Sequence, residues 1–252
     1  MPSLRIAAAQ SISIAGDIAA NVLTHMRFIA AAHRAGVDLL VFPELSLCGY
    51  ELPLLRDCLL HAEDIRLAPI RNMARETGMT VVVGAPVHHG TGSVPAIGAI
   101  IFFPDGRHAV YCKQHLHPGE DQFAAAGDAA GLKYDLNGVS FSLAICADTA
   151  HEQHARNAAT AGAPLYLAGV LVSEGGYAAD TARMQHYAAS LGLGVLMANH
   201  GGPSGGYVSA GKSAFWAPGG NLVAAAPGGG NVIVVVDNGV GRWKGELLEV
   251  SV

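Results

Sequence analysis

The strongest constraint on the fold is a rhythm: twelve short apolar runs read as strands, and only four stretches carry helical periodicity. The runs lie at 4–9, 37–42, 79–84, 96–103, 107–112, 132–136, 139–145, 164–171, 193–198, 208–215, 221–226 and 231–236. Asp17 precedes Ile18, Val22, Met26 and Ile29 at helical spacing, and Gly36 follows. An acidic N-cap and a glycine stop predict a helix between them. Pro69 suits the first turn of a second helix, with Ile70, Met73 and Ala74 inward and Gly78 as its end. Two more helices are expected over about 150–161 and 178–191, stopped by Gly162 and Gly192. Residues 238–252 form a tail without an assignable pattern. Helix pairs scattered among a dozen strands predict two sheets face to face with helices outside. No linker, low-complexity stretch or fixed-period repeat intervenes, so a single domain over 1–252 is expected.

Composition narrows the function. The chain has 252 residues, 51% hydrophobic and 14% charged, enough to bury a large core. With a net charge of -5 and no basic run, neither nucleic acid nor an anionic membrane is an expected partner. No apolar run reaches the ~18 residues of a membrane span. The start, Met1-Pro-Ser-Leu-Arg-Ile-Ala7, enters a strand directly and lacks the form of a secretory signal. Four cysteines (48, 58, 112 and 146) make a poor disulfide scaffold in a chain this long. Free thiols in a reducing, cytoplasmic setting are expected, three of them as ordinary buried small residues.

Three apolar runs end in reactive side chains. Leu39-Leu-Val-Phe-Pro43 leads into Glu44, His108-Ala-Val-Tyr-Cys112 into Lys113, and Val139-Ser-Phe-Ser-Leu-Ala-Ile145 into Cys146. A thiol attacks a carbonyl or nitrile carbon only as thiolate, so a base must take its proton and donors must hold the oxyanion. Glu44 suits the base, with a pKa raised by a closed pocket. Lys113 supplies a fixed positive charge. Ala147-Asp148-Thr149 reads as a helix opening, which offers the Ala147 N–H as an oxyanion donor and is expected to lower the thiol pKa. Taken singly, such a Glu, Lys or Cys reads as a solvated strand end or a core residue; taken together they read as a cysteine hydrolase.

The chain resembles the nitrilase superfamily of carbon–nitrogen hydrolases. The resemblance rests on Phe42-Pro-Glu-Leu45 with Gly49-Tyr50, on Tyr111-Cys-Lys-Gln-His-Leu116 with Gly119-Glu120, and on Ile145-Cys-Ala-Asp148. It extends to Ile6-Ala-Ala-Ala-Gln10 near the start, and to Met197-Ala-Asn199, Gly211-Lys-Ser213 and Pro218-Gly-Gly220 near the end. It implies an α/β fold, a four-layer α-β-β-α sandwich, and a Glu44–Lys113–Cys146 triad. It further implies that Glu120 helps hold the lysine and the substrate nitrogen, that no metal or organic cofactor is used, and that copies pair as a homodimer or higher homo-oligomer. Two departures matter. Ala147 replaces a bulkier residue, which shrinks the pocket wall, and Thr149-Ala-His-Glu152 lacks the cation that would grip a substrate carboxylate.

The expected reaction is hydrolysis of a small amide by water through a cysteine thioester. N-carbamoyl hydrolysis, nitrile hydrolysis and a non-catalytic binding protein on the same fold are the alternatives. Tyr50, His115, His151 and Tyr177 are candidate substrate-binding residues, each following a triad block or a glycine-rich loop. Arg183 suits an acidic substrate or a structural ion pair. Other motifs carry less. Gly206-Tyr-Val-Ser-Ala-Gly-Lys-Ser213 matches the phosphate-loop pattern, but a strand and a turn follow where a helix is needed. Gly202-Pro-Ser-Gly-Gly206 matches a serine nucleophile elbow, yet no histidine follows His200. His151-Glu-Gln-His154 is not the HExxH zinc pattern.

Overall fold

The computed structural model describes residues 4–88, 94–128, 133–136, 138–239 and 242–251. Thirteen strands, four α-helices and four short 3-10 turns lie along these residues. A seven-stranded sheet contains β1 (Arg5–Gln10), β2 (Leu39–Val41), β3 (Thr80–His88), β4 (Pro95–Phe102), β5 (His108–Cys112), β12 (Val232–Asp237) and β13 (Lys244–Glu249). A six-stranded sheet contains β6 (Tyr134–Leu136), β7 (Val139–Ile145), β8 (Leu165–Val170), β9 (Gly194–Asn199), β10 (Ala214–Trp216) and β11 (Leu222–Ala225). The first runs in the order β13-β12-β1-β2-β3-β4-β5, the second β11-β10-β9-β8-β7-β6.

Each sheet has a parallel centre, β1-β2-β3 and β7-β8-β9, flanked by antiparallel strands. Parallel neighbours need long crossovers, and the four helices supply them: α1 (Ile18–Arg34), α2 (Ala68–Thr77), α3 (Glu152–Thr160) and α4 (Tyr177–Ser190). The Asp17 carboxylate accepts the Ala20 N–H at 3.0 Å and caps α1. Gly36 and Gly78 both take φ of 69°, and Gly162 and Gly192 also turn left-handed where the chain leaves a helix. With helices on one face and the other sheet behind, β8 and β9 are buried along their whole length and β1 along all but Arg5. That explains why their sequences are apolar runs without alternation. The result is the α-β-β-α sandwich the resemblance implies.

Several boundaries move. The expected strand at 208–215 is only Ala214–Trp216, because Ser209 and Ser213 turn into hydrogen bonds with the His200 carbonyl and the Asn199 amide. The strand expected from 132 begins at Tyr134, residue 132 lying outside the described residues. The tail contributes β13, paired antiparallel to β12. Its sequence, KGELLE, is mostly exposed at the sheet edge, so no buried face announces it. Among the described residues, no helix is long and apolar enough to cross a membrane.

Candidate active site

The topology brings three strand ends together. β2 and β3 are parallel, β4 runs against them, and β5 against β4, so β2 and β5 end at the same edge of the seven-stranded sheet. Glu44 follows β2 and Lys113 follows β5. Cys146 follows β7, in the parallel centre of the other sheet, at the carboxyl end where open α/β sheets place their sites. Two glycines let the Glu44 corner lie between the sheets. A Cβ on Gly84 (β3) would meet the Pro43 carbonyl at 2.2 Å and the Leu45 nitrogen at 2.4 Å. One on Gly169 (β8), paired in register with Ile145, would meet the Phe42 carbonyl at 2.8 Å. Leu45 (φ 52°) and Cys146 (φ 43°) are two of only three non-glycine residues with positive φ among the described residues. Such backbone costs of order 1–3 kcal/mol each and persists where packing enforces it.

Glu44, Lys113 and Glu120 are completely buried. Lys113 Nζ donates to Glu44 Oε1 at 2.6 Å and to Glu120 Oε1 at 2.7 Å. Glu120 also accepts the Tyr50 hydroxyl at 2.5 Å and the His117 N–H at 2.8 Å. The His200 ring donates to the Glu44 carbonyl at 2.6 Å. Glu44 Oε2 is buried and has no hydrogen-bond partner among the described residues. Burial pushes the Glu44 carboxyl up to about 7, against the pull of the Lys113 charge. Burial alone would lower Lys113, but Glu44, Cys146 and Glu120 hold its pKa well above the ordinary lysine value. It therefore stays cationic.

The thiol departs from expectation. Cys146–Ala150 is a five-residue 3-10 turn that breaks at His151 before α3 begins, in place of one continuous helix. So short a turn carries little dipole. Burial, then the Glu44 carboxylate, push the Cys146 thiol well up, further than Lys113 pulls it down. The resting sulfur is a thiol. Ala147 is the second residue of the turn, where an N–H lies outside the turn's own hydrogen bonds.

Cys146 opens into a cleft of about 270 Å³ walled in part by Tyr50, Ala147, Thr149, Leu171, Asp180 and Arg183. Of the residues expected to bind substrate, Tyr50 and Ala147 are in this wall and three are not. His115 gives its Nδ1 to Asp148 (3.0 Å) and stacks on the exposed ring of His151 at 3.8 Å, outside the cleft. The Tyr177 hydroxyl donates to the Lys212 carbonyl in a separate depression, and the Lys212 ammonium lies 5.1 Å above its ring. Sequence reading gave no role to His117, Leu171, Asp180 and Tyr207 in the wall, nor to the buried Asp148 carboxylate. Asp148 accepts the N–H groups of Gln114, His115 and Ile145 and the hydroxyl of Tyr111. Ser204 is structural, its Oγ accepting the Tyr50 N–H at 2.8 Å. Among the described residues, no three His, Cys, Asp or Glu side chains gather as a metal site.

Residues 5–244 match the family model described as Carbon-nitrogen hydrolase, and the chain belongs to that family, part of the nitrilase superfamily. Solved structures agree. A variant of an amidase from Nesterenkonia sp. AN1 in complex with butyramide is 27% identical, with a TM-score of 0.85 over 93% of this chain and 90% of that one. Another variant of that amidase carries the acetamide moiety of fluoroacetamide on its active-site cysteine, at 27% identity and a TM-score of 0.84 over 93% and 89%. Curated relatives match more narrowly. A glutamine-dependent NAD(+) synthetase of Mycobacterium tuberculosis is 30% identical over 168 residues, 58% of this chain and 25% of the synthetase. The chain thus spans about a quarter of the length of these synthetases.

Proposed function

We propose that the chain is an amidase that cleaves the C–N bond of a small amide through a thioester on Cys146. One observation carries the reading. The buried Lys113 ammonium is bound by Glu44 and Glu120, and Glu44 and Cys146 lie close enough to shift one another's pKa. A base with a pKa of about 7 beside a thiol that is not ionised fits proton abstraction during attack. The small amides bound by the Nesterenkonia amidase support the substrate class.

In this mechanism the amide carbonyl enters the cleft at Sγ. Glu44 takes the thiol proton as the S–C bond forms, and the carbonyl oxygen becomes an oxyanion. Lys113 Nζ and the Ala147 N–H stabilise that charge in a site screened from water. The tetrahedral intermediate collapses by breaking C–N, and Glu44 passes its proton to the departing nitrogen. Ammonia or an amine leaves. Water, deprotonated by Glu44, attacks the thioester; C–S breaks, the acid departs and the sulfur regains its proton. Glu120, tied to Tyr50 and the His117 backbone, keeps Lys113 in place.

The test is Cys146→Ala against a panel of small amides, scored by ammonia release. The expected result is loss of turnover on every amide the wild type hydrolyses. Undiminished hydrolysis by the variant would overturn the mechanism.

A further inference from the structure

Part of the cleft wall comes from α4, where Asp180 and Arg183, three residues apart, form an ion pair. The other wall residues, His117 apart, are neutral. The two side chains keep 27% and 42% of their surface exposed, so a ligand can reach both. An exposed pair on one helix adds little to folding. Arg183 Nε is buried, so the donors open to a ligand are at the exposed end of its guanidinium. A guanidinium offers five donors, and one carboxylate oxygen does not exhaust them.

Resting on the amidase reading above, we propose that Asp180 and Arg183 recognise the non-reacting end of the substrate, and that this end carries both an ammonium and a carboxylate. The pair has no net charge. A lone anion drawn to Arg183 is repelled by Asp180, and a lone cation drawn to Asp180 is repelled by Arg183. A zwitterion laid antiparallel to the pair satisfies both, placing its carboxylate on the guanidinium and its ammonium on the Asp180 carboxylate. The substrate class is a small amide of amino-acid type, with the amide at Cys146 and the zwitterionic head at α4. No bond of that head changes in the reaction. The cation missing after the nucleophile is thereby supplied from a helix more than thirty residues further along.

The test uses four amides with a common four-carbon acyl core: L-glutamine, glutaramate without the amine, 4-aminobutanamide without the carboxylate, and butyramide with neither. The readout is kcat/KM for ammonia release. The wild type is expected to favour glutamine over either singly charged amide by about tenfold or more, the effect of one charge-assisted hydrogen bond. Within Arg183→Gln and Asp180→Asn, the glutamine-to-butyramide ratio is expected to fall at least about tenfold on the same basis, with Arg183→Lys restoring part of it. A ratio within one variant is independent of how much of that variant is folded. The proposal is overturned if butyramide or glutaramate matches glutamine in the wild type, or if the ratio survives both substitutions. Should the variants not fold, the wild-type series decides alone. Turnover of neutral amides without charge preference removes only this inference; no turnover of any amide removes the amidase reading and this inference with it.

Discussion

Asp148 binds His115 twice, its Oδ1 accepting the backbone N–H at 2.9 Å and facing the ring Nδ1 at 3.0 Å. His115 follows Lys113 by two residues and Asp148 follows Cys146 by two, so one carboxylate fastens the lysine loop to the cysteine turn. Asp148→Asn replaces an acceptor oxygen by a donor in a buried network. Urea unfolding should show a loss of about 2 kcal/mol or more. Turnover of the folded fraction should fall as well, because Lys113 and Cys146 lose their common anchor. Wild-type stability together with wild-type turnover would remove this role.

The acid limb of the pH profile should belong to Glu44. Its carboxyl is pushed up to about 7 by burial, so the base form accumulates as pH rises through that value. In the free enzyme, kcat/KM should therefore rise with pH and level off above about 7.5 to 8, with Lys113 charged throughout. Glu44→Gln should remove most activity, by roughly a thousandfold or more, and flatten the limb. A profile flat from pH 5 to 8 in the wild type argues against this base.

Alkylation reports the same group from the sulfur side. Cys146 holds its proton at neutral pH, so iodoacetamide should label it through Glu44. The labelling rate should follow a titration near 7, and Glu44→Gln should slow it. Cys48 is buried, and burial pushes the half-buried Cys112 up to about 11; the Cys48 hydrogen bond draws Cys58 down to about 7, but Cys58 is only 3% exposed, so mass spectrometry should find all three slower. Equal labelling of all four thiols contradicts the assignment.

Gly84 sets the position of the turn that carries Glu44, the proposed base. A methyl there runs into the backbone of Pro43 and Leu45, whereas at Gly98 it meets first the Val87 side chain, at 2.4 Å. Both Gly84→Ala and Gly98→Ala should destabilise by about 1–3 kcal/mol through overpacking. Only Gly84→Ala displaces the turn carrying Glu44, so its kcat should fall further. Equal kcat in the two variants, at matched folded fraction, would discount the glycine.

What could be read from residue order follows from locality. Helix limits at Asp17, Gly36 and Gly78 depend on cap chemistry within a few residues, and they appear where expected. The three strand ends were visible because each apolar run stops at a reactive side chain. The cleft wall is only partly legible: Tyr50, Ala147 and Arg183 stand out as candidates and Asp180 does not, since wall position depends on how α4 crosses the six-stranded sheet. Tyr177 and Arg183 are six residues apart on that helix, and only Arg183 lines the cleft. His115 and His151, close in sequence to Lys113 and Cys146, stack on each other instead. The thiol's pKa is raised where the helix opening predicts it lowered, because a helix opening is a local pattern while burial is set by the whole sandwich.

Glu44 and Lys113 follow strands of one sheet and Cys146 a strand of the other, so in the proposed mechanism competence depends on the seam where the two layers meet. A slippage there of an ångström or so would silence the chemistry while each layer kept its hydrogen-bonded ladders. Gentle denaturation should therefore extinguish turnover at a lower urea concentration than it erases the circular dichroism of the strands, making catalysis a gauge of layer alignment.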